Sequence, residues 1–210
     1  MSRSFKFSID EFYHVYNRGT DKRAIFLDDN DRKRFYYLLF LCNGNKPFEI
    51  SELILKQVFQ FERGETLVDI GAVCLMDNHF HLLLHEKKEN GISEFMHKVS
   101  TAYTNYFNRK YKRAGSLFEG RFKARCIDDD RYLNYLFAYI HLNPVKHNFS
   151  NDYKRYPYSS YSAFGSNIET VVSRDYILNL FEGFDNFEYW HDLKKIKYNK
   201  IIEDIEKIDN

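Results

Sequence analysis

The chain has 210 residues, with 31 Lys or Arg against 30 Asp or Glu, so its formal net charge is +1; 44% of residues are hydrophobic and 29% charged. That length and mix specify one globular domain, or one domain with an appendage, able to bury a core without disulfide or metal staples, and they exclude disordered and fibrous classes. No apolar run approaches the roughly 18–20 residues of a membrane span, the first residues (MSRSFKFSIDEFYHVYN) have no h-region or small-residue cleavage site, and Cys42, Cys74 and Cys126 are odd in number with no CxxC pair, so the expectation is a protein of the reducing cytoplasm without membrane contact.

In chain order, EFYHVYNR (11–18) alternates and ends at Gly19, predicting a first strand and turn. Asp28 to Leu41 offers a cap followed by aromatics and leucines at helical spacing. After Gly64, TLVDIGAVCLM predicts a buried strand, Asp77-Asn78 a turn, and HFHLLLHE (79–86) its hairpin partner. Ile92, Phe95, Met96, Val99, Tyr103, Tyr106 and Phe107 recur at helical intervals, predicting an amphipathic helix over 92–111. A short SLFEG piece leads into a strand at RFKARCI (121–127). Asp128 to Asp130 can cap a helix, RYLNYLFAYIHLN, which Pro144 is expected to stop. Beyond residue 150 the pattern weakens, with two helices expected around 174–183 and 187–208. Strands alternating with helices, with hairpins as well as crossovers, predict an α+β fold: a small, largely antiparallel sheet packed against helices.

Charge is unevenly placed. Lys98 to Arg125 holds eight basic residues against Glu119 alone, whereas 174–210 holds six basic and nine acidic residues. The basic block, interleaved with aromatics, suits phosphate contact and base stacking, or else a solvated helix face. If 121–127 is a strand, Arg121, Lys123 and Arg125 point the same way and favour a phosphate-binding face.

In HFHLLLH the two-residue period puts Phe80, Leu82 and Leu84 on one face and His79, His81, Leu83 and His85 on the other. Neighbouring imidazoles at His79 and His81 are a usable pair of metal-ligand nitrogens, but HxH is a weak pattern and spacing alone favours a pair of partly buried histidines satisfied by polar neighbours. Tyr139 and Asn143, four apart, share a helix face; periodicity alone does not single Tyr139 out among 17 tyrosines.

MDNHFHLLL resembles the motif of two histidines flanking a bulky apolar residue (HUH) in tyrosine transposases of the IS200/IS605 type. AYIHLNPVKH resembles the tyrosine helix of their REP-associated branch, as do YHVYNRG and LFEGRFKA the other motifs of that branch. The four run in order from about residue 11 to 150. The resemblance implies a ferredoxin-like HUH nuclease domain over 1–150, with a helical C-terminal extension of unknown role over 151–210. It implies metal-dependent transesterification of single-stranded DNA beside hairpins. His79 and His81 would hold one Mg²⁺ or Mn²⁺, and Tyr139 would attack a phosphate to leave a 5′-phosphotyrosine and a free 3′-OH. The family's third ligand, a Gln four residues after the tyrosine, is here Asn143, one methylene shorter. Arg121, Lys123 and Arg125 would bind phosphate, with Arg18 as a further DNA contact. Insertion-sequence relatives work as dimers, so a homodimer is one expectation.

A metal suits this chemistry, because a free phenol with a pKa near 10 is a poor nucleophile at neutral pH and an ion on the phosphate oxygens offsets developing charge. No Walker motif is present, in line with a reaction needing no nucleotide cofactor. Two other readings remain: a catalytically idle, domesticated hairpin nucleic-acid-binding protein, and a metal hydrolase using His79, His81 and His85. The latter lacks a nearby carboxylate base other than Glu86, which is expected on the opposite face.

Overall fold

The computed structural model describes residues 6–49 and 55–195. Its centre is a four-stranded, fully antiparallel sheet of β1 (Phe12–Arg18), β2 (Val68–Leu75), β3 (His79–Glu86) and β4 (Lys123–Ile127), in the spatial order β2-β3-β1-β4. Helix α1 (Asp29–Leu41) connects β1 to β2, α2 (Gly91–Lys110) connects β3 to β4, and α3 (Asp130–Lys146) follows β4. This is the expected α+β arrangement, with the two halves of a split βαβ unit interleaved.

Both faces of the sheet are covered, which is why β1 and β3 are buried along nearly their whole length. Helices α1 and α2 lie on the face carrying Tyr13, Val15, Phe80, Leu82 and Leu84. There Phe35 of α1 is fully buried, with its ring 5.0 Å from those of Phe80 and Tyr103; truncating such a ring to alanine costs about 3–5 kcal/mol. α1 starts where Asp28 accepts from the Asp31 amide in a capping box. Glu86, fully buried, accepts from the amides of Gly91 and Ile92 and so ties the end of β3 to the start of α2. It points away from the histidine face, as its place in the alternation requires.

The opposite face, with His14, Tyr16, His79 and His81, is covered by α3. Asp129 caps this helix by accepting from the Tyr132 amide. The helix does not stop at Pro144; it continues to Lys146. Proline withholds only its own amide and crowds the carbonyl four residues back. Here that costs one intrahelical bond, the one to the Ile140 carbonyl, a loss that packing of the final turn outweighs. Burial of Leu142 and Asn143, and the His147 amide donating to the Asn143 carbonyl at 3.0 Å, hold the final turn.

The segment after residue 150 packs on α3 and closes the outer edge of β2. The Leu75 amide donates to the Tyr158 carbonyl, that of Ser160 to Val73 and that of Ser173 to Ile70, each at 2.9 Å, covering an edge that would otherwise offer unpaired backbone groups. Short helices α4 (Tyr161–Phe164) and α5 (Arg174–Leu180) and the helical residues 184–195 (α6) follow. Phe187 of α6 is fully buried against Phe164, Phe181 and His191. The remainder of the second expected helix, 196–208, lies outside the described residues. Among those residues no helix is long and apolar enough to cross a membrane.

Candidate active site

The β2–β3 hairpin turns at Asp77-Asn78, and its first returning residues are His79 and His81. Asn78 is fixed by its own amide group: Nδ2 donates to the Lys22 carbonyl at 3.1 Å, so Oδ1 is the atom facing His79 Nδ1 at 2.6 Å. Because Oδ1 can only accept, His79 carries its proton on Nδ1 and keeps a lone pair on Nε2. His81 is 6% exposed, and its Nδ1 is 2.9 Å from Nε2 of His14 on the neighbouring strand. Burial, with repulsion from neighbouring imidazoles and cations, pulls the pKa of His79 down to about 4 and that of His81 well below the ordinary value; burial and Arg125 pull that of His14 down to about 3. All three rings are neutral at pH 7, the state in which imidazole binds metal.

Helix α3 lowers Tyr139 onto this pair. Its ring stands edge-on to His81 and to His14, 5.9 Å between centroids in each case, and is 5% exposed. One turn later Asn143 is fully buried. Its Nδ2 donates to the Tyr139 carbonyl at 3.1 Å, while Oδ1 has no hydrogen-bond partner among the described residues. A further turn on, His147 sets its ring 5.6 Å from that of His79, and Lys146 places its ammonium 5.9 Å from the Tyr139 ring centre. His79, His81, Tyr139, Lys146 and His147 all line one cleft of about 440 Å³, whose remaining charges are Arg18, Lys22, Lys123 and Glu119. Four cations against one carboxylate make it a site for a polyanion.

The two motifs expected to flank the site also meet. The Thr20 amide donates to the Leu117 carbonyl and that of Glu119 to Arg18. Gly19 is required at this crossing, because a Cβ there would lie 2.2 Å from the Arg23 carbonyl oxygen.

The expected phosphate contacts separate. Lys123 lines the cleft beside Tyr16, and Arg18 lines it while paired with Glu119. Arg125 lies opposite His14 in the strand register and stacks over Tyr132 at 4.9 Å. Arg121 is exposed and precedes β4, which begins only at Lys123, so the shared direction expected of three residues holds for Lys123 and Arg125 alone. The wider basic block is divided by the sheet. On α2, across from the histidines, Lys98 binds Glu94 and Lys110 binds Asp28 and the buried Asp31. His85 sits at the far end of the histidine face, against Phe12 and Asp69.

Residues 12–143 match the family model described as "Transposase IS200 like". The chain belongs to the IS200-like transposase family. A Haemophilus influenzae protein named as a REP-associated tyrosine transposase is 31% identical over 101 residues, covering 43% of this chain and 57% of that one. This chain therefore spans little more than half the length of that relative. Among solved structures, a REP-associated tyrosine transposase bound to a REP hairpin superposes with a TM-score of 0.55 at 13% identity, covering 81% of this chain and 88% of that one. At that identity the likeness concerns the fold.

Sequence reasoning missed His14, Asn78, Lys146 and His147 in this member of the IS200-like family. His147 had a signal: Tyr139, Asn143 and His147 are spaced four and four, but ending the helix at proline hid it. Among the described residues no group of three or more His, Cys, Asp or Glu is arranged to hold a metal. The candidate donors for an ion here are imidazole nitrogens of His79 and His81, with the buried Oδ1 of Asn143, partnerless among the described residues, as a candidate third. Such a mixed nitrogen–oxygen set leaves positions for substrate oxygens.

Proposed function

We propose that this chain is a single-stranded DNA endonuclease and transesterase that cuts and rejoins DNA beside hairpins through Tyr139. The observation that carries the reading is the ring of Tyr139 edge-on to His81 inside a cationic cleft. Arg18, Lys22, Lys123 and Lys146 draw in the DNA backbone and hold a phosphate against Tyr139. The phenol oxygen then attacks phosphorus in line, and the P–O3′ bond breaks. The product is a 5′-phosphotyrosine with a free 3′-OH, the phenol proton being lost and one gained by the departing 3′ oxygen. Reversal by another 3′-OH rejoins DNA at nearly constant bond energy, so no nucleotide is required. A divalent ion, Mg²⁺ or Mn²⁺, held by His79 and His81 with Asn143 as candidate third ligand, would supply charge neutralisation at the phosphate oxygens. Tyr139 and the histidines come from one chain, so we propose a site complete in cis. The fold relative bound to a REP hairpin supports a DNA hairpin as the substrate class.

The test is a denaturing gel of protein incubated with end-labelled single-stranded DNA from both flanks of the gene, with Mn²⁺ or Mg²⁺. A labelled adduct that requires metal and vanishes in Tyr139→Phe is expected. An adduct that persists in Tyr139→Phe assigns the nucleophile elsewhere. A hairpin-selective gel shift without any adduct identifies a binding protein that no longer turns over.

A further inference from the structure

One buried polar side chain at the site has no task in that mechanism. His14, in the middle of β1, is 2% exposed, and its ring lies against that of His81, 5.1 Å between centroids and 22° from parallel. The contact between His14 Nε2 and His81 Nδ1, at 2.9 Å, holds a single proton, and its direction decides what His81 can do. If His14 donated, the lone pair of His81 would be used on Nδ1 and Nε2 would carry hydrogen, leaving no nitrogen for a metal. If His81 donates, Nε2 keeps its lone pair.

We propose that His14 is a positioning residue that accepts the Nδ1–H of His81, fixing its tautomer and ring angle with Nε2 as the ligand atom, as Asn78 does for His79. The inference rests on the metal-dependent reading above. Metal-binding histidines commonly pass their second N–H to a carboxylate, carbonyl or water. Here the two acceptors are an amide oxygen and a neutral imidazole. A carboxylate in either place would make the ligand more basic but would put a negative charge beneath the bound phosphate. Neutral acceptors fix the tautomers and leave the cleft cationic. In β1, His14 shares a face with Tyr16 and Arg18, and the strand that supplies the acceptor also supplies three residues of the cleft wall, Tyr16, Asn17 and Arg18.

The first measurement needs no mutation: long-range ¹H–¹⁵N spectra of the histidine side chains in the metal-free full-length protein. His81 and His79 protonated on Nδ1 is the expected result; His81 protonated on Nε2 overturns the inference. Mn²⁺ affinity is then measured by electron paramagnetic resonance for wild type, His14→Phe and His14→Gln, each checked for folding by thermal denaturation. His14→Phe should bind Mn²⁺ about 10- to 100-fold more weakly, and His14→Gln, whose amide oxygen can accept, should recover most of that loss. Equal affinity in wild type and a folded His14→Phe overturns the inference while leaving the metal reading intact. A wild type that takes up no Mn²⁺ overturns the metal reading and, with it, the purpose assigned to His14.

Discussion

Two histidine pairs in this molecule are nearly superimposable in their internal geometry and differ in where they lie. His14 and His81 lie 2.9 Å apart nitrogen to nitrogen, with centroids at 5.1 Å and planes at 22°; His141 and His191 lie 2.8 Å apart, with centroids at 5.1 Å and planes at 26°. All four are buried, and burial lowers the pKa of each. What separates them is where the chain of hydrogen bonds ends. His191 Nδ1 donates to the Phe187 carbonyl, so its Nε2 accepts from His141 Nδ1. His141 Nε2 therefore accepts from the Ser160 hydroxyl, whose oxygen accepts the Val73 amide. That relay is closed at both ends and pins the C-terminal segment to α3 and β2. The other pair ends at the cleft, where the proposed function gives the remaining nitrogen of His81 a task. Distance, burial and charge state alone cannot distinguish a joint from a site; following each proton to its acceptor does.

Exchanging the damage between the two pairs breaks the comparison most sharply. His81→Ala should lower the rate of metal-dependent adduct formation by about 10²- to 10³-fold, the several kcal/mol that a bound ion supplies. His79→Ala, nearer the surface, should do the same while leaving stability in urea within about 1 kcal/mol of wild type. His191→Ala should instead cost about 2–4 kcal/mol of stability, because it strands His141 Nδ1 and opens space beside Phe187. The folded fraction of that variant should still form the adduct. If His191→Ala abolished the adduct in fully folded protein, the closed relay would be part of the site and the distinction would fail.

The closed pair was illegible in the sequence for a physical reason. His141 and His191 are 50 residues apart and meet only through tertiary packing, so no periodicity marks them. The antiparallel sheet, α1 and α2 were legible because period-two and period-3.6 patterns reflect burial on one side of an element; Tyr139, His79 and His81 stand out as candidates because a family motif covers them. The end of α3 was misread because a local rule about proline was overridden by burial of Leu142 and Asn143. His14 and Asn78 became visible only with strand order in hand, since β1 and β3 are adjacent in space but separated in sequence by α1 and β2.

Acid should expose both pairs together. Each of these imidazoles, and that of His79 beside them, has a folded-state pKa below its unfolded value near 6.5, about 3 for His14 and about 4 for His79 and His191. Below pH 6.5 the unfolded chain therefore takes up protons that the folded protein refuses, and stability falls as pH drops toward 4. The thermal midpoint, followed by circular dichroism, is expected to decline over that window and to be flat on the histidines' account above it. A midpoint unchanged between pH 7 and 4.5 would contradict their burial as neutral rings.

Smaller effects belong to the rim of the cleft. Lys123→Ala and Lys146→Ala should each weaken binding to hairpin DNA several-fold and reduce the slope of log affinity against log salt by about 1, the signature of one lost phosphate contact. Arg18 behaves differently, because its guanidinium is held by both carboxylate oxygens of Glu119 and each side chain is about half exposed. An ion pair so open to water contributes little to stability, so Glu119→Gln should unfold at nearly the wild-type temperature. Yet the substitution frees Arg18 for phosphate and removes the one carboxylate that lines the cleft among the described residues, so DNA should bind a few-fold more tightly, with a steeper salt dependence. Fluorescence anisotropy over a salt series measures both quantities. Weaker binding in Glu119→Gln would mean that the ion pair holds Arg18 in the orientation DNA needs, making Glu119 a support for the contact instead of a competitor.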